Sequence, residues 1–350
     1  MCADRDFAYG AAAGLLGDLL LGDPRRGHPV AAFGRAAGAV ERVLWRDHRG
    51  WGALHAVVCA GGAAGAAALA SSLVRRHSRA GSVALTAAAT WAVVGGTSLG
   101  REARAIGGAL AAGDIEVARE RLPHLCGRDP QALDADGIAR AVVESVAENT
   151  SDAVVGALVW GALAGVPGLV GFRAVNTLDA MVGHKSARYL RYGWASARLD
   201  DVLGWPGARL TALLAAAAGD SPSGAVRAWR DDAAKHPSPN AGPVEAAFAG
   251  ALGVRLGGTL SYGGRVEHRP VLNGGGRAVA VADIERAVRL SRRVGLLALG
   301  AAVIARGNRN SAVGAVPTRS ALRNACPQRG QHEQRGQRGQ HGQHRLGRRS

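Results

Sequence analysis

The sequence predicts an all-α chain, a polytopic integral membrane protein with polar helical segments between its spans. Three observations carry that prediction. Hydrophobic residues make up 47% of the 350 positions but aromatics only 4%, so alanine, valine and leucine supply most of the apolar content. Glycine is abundant, at 51 residues, and small-residue surfaces let helices approach closely, as they do in lipid. Six apolar runs, at about residues 7–22, 52–74, 82–99, 153–172, 205–219 and 294–305, alternate with polar, motif-dense segments.

Taken in order, the run 7–22 is not a secretory signal, because Asp4 and Asp6 flank Arg5 where a basic region belongs and Asp18 interrupts the apolar stretch. Runs 52–74 and 82–99 approach the ~20 residues that cross a bilayer, and the other four are shorter or marginal. As a hairpin they would place the arginine-rich segments 23–51 and 100–152 in the cytoplasm. The short loop 75–81, with Arg75, Arg76 and Arg79, opposes that orientation. Asp114 is placed to cap a helix that runs through Arg121 and is closed by Pro123. A second helix starts near Asp134 and enters the run 153–172, with its break expected at Pro167-Gly168. The stretch KHPSPNAGP, 235–243, holds three prolines and cannot be regular helix.

The net charge of +16 is unevenly spread. From Thr318 onward the chain carries eight arginines against Glu333 alone, in a low-complexity run with no apolar periodicity. We therefore divide the chain into a membrane-embedded domain, 1–306, and a disordered basic tail, 307–350. Removal of residues 318–350 is expected to be tolerated, which sets aside a nucleic-acid partner. The cysteines Cys2, Cys59, Cys126 and Cys326 show no CxxC spacing, so neither a zinc site nor a disulfide framework is implied.

The residues that look chemical begin with VESVAENTSDAVV, 143–155. Glu144, Glu148 and Asp152 recur at i, i+4 and i+8 and fall on one helical face. Charge runs are usually solvated faces. Here Ala141, Val142, Val143, Val146, Ala147, Val154 and Val155 surround the stripe, and buried carboxylates must be paired, protonated or metal-bound. An all-oxygen ligand set suits Mg2+, which binds through one or two carboxylates together with phosphate. In AVNTLDAMVGHKSARY, 174–189, Asn176, Asp179 and Gly183 share a helical side and Lys185 follows. Lys185 and Lys235 are the only lysines, which points to sites where a compact ammonium differs from a guanidinium. Asp200 and Asp201 are adjacent, so on a helix they point about 100° apart. Arg198 and Arg209 can neutralise them or grip phosphate. His236, Ser238, Asn240 and Glu245 sit around the proline frame, where a rigid loop can hold a substrate. Asp23, His28 and Arg35 follow the first run. No Walker, GxGxxG or HExxH motif occurs, and the GxSxG match GTSLG, 96–100, lies at the end of an alanine-rich helical run and is read as accidental.

Together, GDPRRGHPVAAFGR (22–35), GRD (127–129), VESVAENTSD (143–152), AVNTLDAMVGHK (174–185), GWASARLDDV (193–202), KHPSPNAG (235–242) and EAAFAGALGVRLGG (245–258) resemble the CobD/CbiB family, the adenosylcobinamide-phosphate synthases of cobalamin biosynthesis. The resemblance implies a multi-pass protein of the cell membrane. It implies ATP-dependent amide formation between (R)-1-aminopropan-2-ol, or its phosphate, and a propionate carboxylate of adenosylcobyric acid, through an ATP-derived acyl phosphate. ATP as co-substrate and Mg2+ as cofactor follow from it. So do a corrinoid, aminopropanol or its phosphate and the lipid bilayer as partners, with other corrinoid-pathway enzymes as further candidates. On this basis Glu144, Glu148, Lys185 and His236 are the catalytic candidates. Glu144, Glu148, Asp152, Asp179, Asp200 and Asp201 are the metal candidates. Substrate or phosphate binding falls to His28, Arg35, Asn149, Asn176, Arg198, Arg209, Ser238 and Asn240. The competing readings are a Mg2+-dependent membrane phospho- or prenyl-type transferase and a non-enzymatic corrinoid transport component.

Overall fold

Helices account for nearly all regular structure in the computed structural model, which describes residues 2–23, 27–262 and 265–314. The residues up to Gly307 form one compact unit, and the described residues from Asn308 fall outside it. Helix α1 (Cys2–Leu21) is followed by α2 (Pro29–Leu44), whose N-terminus is capped by the His28 ring accepting from Val30 N. Then α3 (Arg49–Ala56) passes through a wide π turn, Val57–Gly61, into α4 (Gly62–His77), so that Arg49–His77 forms one apolar rod of 29 residues. Ser78 caps the returning α5 (Arg79–Val93) through its hydroxyl. Helix α1 packs along α5, and a Cβ at Gly10 would lie 2.5 Å from Thr86 Cβ, so the close approach depends on glycine.

The apolar run predicted over 82–99 is broken. After Val93 the backbone leaves the helix, and α6 (Gly96–Ala111) begins with GTSLG rather than ending there. The side chain of Asp114 caps α7 (Ile115–Arg121) as the sequence predicts. Asp134 likewise caps α8 (Ala135–Asn149), which continues through a π turn, Thr150–Val155, into α9 (Gly156–Ala164). The break comes at Gly165 (φ 69°), before the predicted Pro167-Gly168. Pro167 instead enters the first turn of α10 (Val166–Leu178), where its missing N–H removes no helical hydrogen bond. A further π turn, Asp179–Gly183, and a run of turns lead to α11 (Trp194–Ala218).

Next come α12 (Pro222–Asp232), the irregular proline loop, and α13 (Ala241–Leu252), every residue of which is buried. Helices α12 and α13 touch backbone to backbone, and a Cβ on Gly250 would collide with the Gly224 carbonyl. The all-α expectation holds, with one small hairpin added. Strands β1 (Leu256–Tyr262) and β2 (Arg265–Leu272) pair as an antiparallel hairpin with a register shift between Leu256 and Gly258. The final helix α14 (Ala282–Gly314) runs past the predicted end near 305, so the first residues of the expected tail are helical. Residues 315–350 of that tail lie outside the described residues. The main apolar core joins α1, α5, α6, α8, α9, α11, α13 and α14. Among the described residues two stretches, Arg49–His77 and Arg79–Ala111, the second interrupted at Val94-Gly95, are long and apolar enough to cross a membrane.

Candidate active site

A cleft of about 910 Å³ opens where the end of α8, the π turns Thr150–Val155 and Asp179–Gly183, the start of α11, the proline loop and β2 converge. Five carboxylates line it: Glu148, Asp152, Asp179, Asp200 and Asp201. Five cations face them from Arg49, Lys185, Arg191, Arg198 and Arg269. His236, Ser238 and Asn240 form one further wall.

The helical stripe of three carboxylates is divided by its surroundings. Glu144 is buried and does not line the cleft. Its carboxylate pairs with the Arg128 guanidinium and accepts from Gly257 N, which ties α8 both to the loop before it and to β1. Glu148, one turn later, points into the cleft, where solvent reaches the side chain although protein surrounds it. Burial pushes its carboxyl upward, Arg269 and Arg128 pull it back, and Glu144 adds to the rise. Asp152 follows on the π turn and is held well above the usual carboxylate range, first by burial and then by the charge of Asp200. One amide joins these two: Asn176 Nδ2 lies 3.4 Å from Asp152 Oδ2 and 3.3 Å from Asp200 Oδ1.

Asp200 is raised to about 7, by burial and then by Asp179. Asp179 is raised to about 6, by burial and then by Asp201. Carboxylates that push one another upward inside a cleft form a site that a cation would stabilise. Gly183 leaves room for the Asp179 carboxylate where it stands, since a Cβ there would run into it. Among the described residues, no three side chains of His, Cys, Asp and Glu close into a metal-ligand group. The set nonetheless fits Mg2+, which needs only one or two carboxylates when phosphate oxygens and water complete its shell. Asp152 and Asp200, bridged by Asn176, are the pair best placed to hold it.

The proline loop is fixed from both ends. Ser238 Oγ accepts from Asn240 N (3.3 Å) and Ala241 N (3.1 Å), so it caps α13. Asn240 donates to the carbonyl of Asp201 (3.0 Å) and accepts from Arg209 Nη1 (3.2 Å), which clamps the loop onto α11. Arg209, stacked on Trp205, supports Asn240 and does not line the cleft. His236 is buried, with Nε2 3.8 Å from Glu245 Oε1. Burial and Arg269 push the imidazole down, whereas burial holds the Glu245 carboxyl well above its ordinary range.

Other predicted residues lie elsewhere. His28 caps α2, with Asp23 3.7 Å away, Arg35 is exposed on α2, and Asn149 bonds back to Ser145. None of the three lines the cleft. Of the two lysines, Lys185 reaches the cleft, but Lys235 is engaged with Asp232 at 2.6 Å. Sequence reasoning missed Arg269 altogether and gave Arg128 no role. A signal for the first existed: the pair Gly263-Gly264 between two alternating runs marks a hairpin, and Arg269 lies on its second arm.

Against known proteins, a family model described as CobD/Cbib protein matches residues 11–291. Among curated relatives, "Cobalamin biosynthesis protein CobD" of Mycobacterium tuberculosis (strain ATCC 25618 / H37Rv) is 54% identical over 302 residues, covering 85% of this chain and 94% of that protein. The protein of the same name from Chromobacterium violaceum is 46% identical over 80% of this chain and 90% of its own length. That from Rhodobacter capsulatus is 41% identical over 79% and 90%. No solved structure matches.

Proposed function

Because the chain belongs to the CobD/CbiB family, and acts with it in cobalamin biosynthesis, we propose that the cleft joins an amino alcohol to a corrinoid carboxylate at the expense of ATP. The substrates in this reading are (R)-1-aminopropan-2-ol or its phosphate and adenosylcobyric acid, and the product is adenosylcobinamide or its phosphate. One observation carries it: a single cleft sets mutually repelling carboxylates opposite five cationic side chains. That arrangement suits a reaction that handles phosphate, a carboxylate and an ammonium together.

A carboxylate is a poor acyl donor. Its oxygen attacks the γ-phosphorus of ATP, the bond to ADP breaks, and an acyl phosphate results. The amine nitrogen then attacks the carbonyl carbon, a C–N bond forms, and inorganic phosphate leaves with the C–O electron pair. Lys185, Arg198 and Arg269 would offset phosphate charge. Glu148, its carboxyl raised within the cleft, would take the ammonium proton, since a base works best with a pKa near the working pH. Bound at Asp152 and Asp200, Mg2+ would neutralise phosphate oxygens and ease the repulsion between those carboxylates.

Placement in the cell membrane, with several crossings, belongs to the same reading. The apolar rod Arg49–His77 is only 22% buried over its most apolar stretch, and Val57, Leu69 and Leu73 stand exposed on it. Leu16 and Leu20 on α1 and Leu296, Leu297 and Ile304 on α14 also stand exposed.

The test is a purified, detergent-solubilised sample given ATP, adenosylcobyric acid and either aminopropanol or its phosphate. An amidated corrinoid should appear with stoichiometric ADP and phosphate, and only with Mg2+. Diphosphate-dependent transfer with no corrinoid product would sink the amide-synthase reading in favour of a transferase. Corrinoid uptake into vesicles without amidation would favour a transport component.

A further inference from the structure

We propose that His236 serves this reaction as a fixed, neutral N–H donor and not as its base: Ser238 N holds the proton of the ring on Nε2, where it faces the acyl group of the corrinoid. The inference rests on the amide-forming reading above and adds to it the chemical role of one residue.

The geometry around the ring assigns its tautomer. Ser238 N donates to His236 Nδ1 at 3.0 Å, a bond that needs the lone pair on Nδ1 and therefore leaves no proton there. The opposite arrangement, Nδ1–H donating to the Ser238 carbonyl, has a longer distance of 3.4 Å. It would also leave Nε2 with a lone pair that Glu245 Oε1, 3.8 Å away, is too distant to satisfy. With the proton on Nε2, that same neighbour is an attractive one. The Ser238 backbone cannot turn away, because its hydroxyl caps α13 through Asn240 N and Ala241 N, and Asn240 is clamped to α11.

Nε2 is left as an unsatisfied donor. It is buried, it has no hydrogen-bond partner among the described residues, Glu245 is too distant to accept, and the ring borders the cleft. A buried N–H without an acceptor is costly in the free protein, so the site is built for an acceptor that arrives with substrate. The charges around it agree on a neutral ring. Arg269 on β2 opposes a second positive charge, Glu144 on α8 is already paired with Arg128, and burial holds Glu245 on α13 toward its neutral form. When the amine adds to the acyl phosphate carbon, the π electrons of the carbonyl move onto oxygen. An N–H held in place before that moment stabilises the oxyanion without reorganisation. The ammonium proton must then go to a cleft carboxylate, because the only basic nitrogen of His236 already accepts from Ser238.

Two measurements decide it. In full-length protein carrying 15N-labelled histidine, with His236→Gln used to assign the signal, the His236 ring should show a bound proton on Nε2 and an unprotonated Nδ1. This pattern should persist to the lowest pH at which the fold survives. A proton on Nδ1, or a ring that becomes cationic near pH 6, overturns the proposal, whether or not amide synthesis is observed. For turnover, the glutamine amide nitrogen stands where Nε2 stood, and the asparagine one where Nδ1 stood. His236→Gln should keep kcat within about tenfold of the parent with an unshifted pH profile, while His236→Ala and His236→Asn lose the roughly 10²- to 10³-fold typical of a missing oxyanion donor. Equal loss in Gln and Ala variants, in protein that elutes and melts like the parent, would return His236 to the role of base. If the parent makes no amide at all, the functional reading falls and the tautomer measurement still judges this inference.

Discussion

Glu144 and Glu148 lie one helical turn apart, yet their amides should behave in opposite ways. Glu144→Gln breaks a buried ion pair and leaves the Arg128 guanidinium short of a counter-charge, a change that costs about 3 kcal/mol in comparable buried pairs. The expected outcome is a clear fall in Tm with turnover per folded molecule largely kept. Glu148→Gln removes a charge that burial and Glu144 disfavour, so Tm should hold or rise while kcat falls by about 10²-fold or more, as for loss of a general base. Thermal melting beside single-turnover product formation separates the two. Asp200 gives the pH counterpart. Its folded pKa of about 7 lies above the ordinary carboxylate value of 3.8, so its protonated form favours the fold. That contribution is full below pH ~4 and is lost as pH rises through about 7. Asp200→Asn should therefore melt about 2 °C or more above the parent at pH 8 and match it near pH 4, with Mg2+-ATP narrowing the gap at pH 8. Much at this scale was legible in sequence. Glu148, Asp152, Asp179, Asp200, Asp201, Lys185, Arg198, His236, Ser238 and Asn240 all reach one cleft. Periodicity gave Glu144 the same face as Glu148, but it does not report which neighbour that face meets, and here the neighbour is Arg128.

At the scale of elements, the hairpin β1–β2 carries more than its size suggests. Its first strand is fastened to α8 through Gly257 N and Glu144, and its second strand brings Arg269 to the cleft. Gly257 has φ 80° and lies so near the Pro270 carbonyl that a Cβ would collide with it. Gly257→Ala thus forces a strained backbone, shifts the strand, or both. We expect a loss of roughly 1–3 kcal/mol in stability, together with a rise in KM for ATP beyond what a global loss would cause, because Arg269 moves with the strand. A KM within twofold of the parent in a variant of lowered Tm would show that the hairpin does not position Arg269. Helices 115–121 and 135–149 were readable because Asp114 and Asp134 are local caps whose bonds span only a turn. The hairpin went unread since its partner contacts are long-range and a Gly-Gly pair is weak beside apolar periodicity. The break at Val94-Gly95 shows no proline, and what fixes it is tertiary: Asp18 accepts from Thr97 N and Ser98 accepts from Asp23 N.

For the molecule as a whole, the open question is which solvent its apolar faces meet, and one substitution separates the answers. Leu69 lies on the rod Arg49–His77 and is 62% exposed, with Leu73 one turn beyond. In water, an exposed leucine replaced by aspartate changes stability by about 0.5 kcal/mol or less. In a bilayer, the same aspartate near the middle of a spanning helix costs about 2.5–3.5 kcal/mol. The structure holds features that agree with lipid. Helices α1 and α5 approach through Gly10 and Gly14, and few aromatic residues fill the core, so packing relies on small residues more than on bulky interlocking ones. The rod also spans far enough, since 29 residues at 1.5 Å each exceed the ~30 Å of hydrocarbon. We expect Leu69→Asp to reduce the fraction resistant to alkaline carbonate extraction and to lower Tm in lipid nanodiscs, while an aspartate at the exposed, already charged position of Arg35 on α2 does neither. Equal behaviour of the two variants would place the rod in water. The cleft would then have to admit its corrinoid without a membrane surface to orient it.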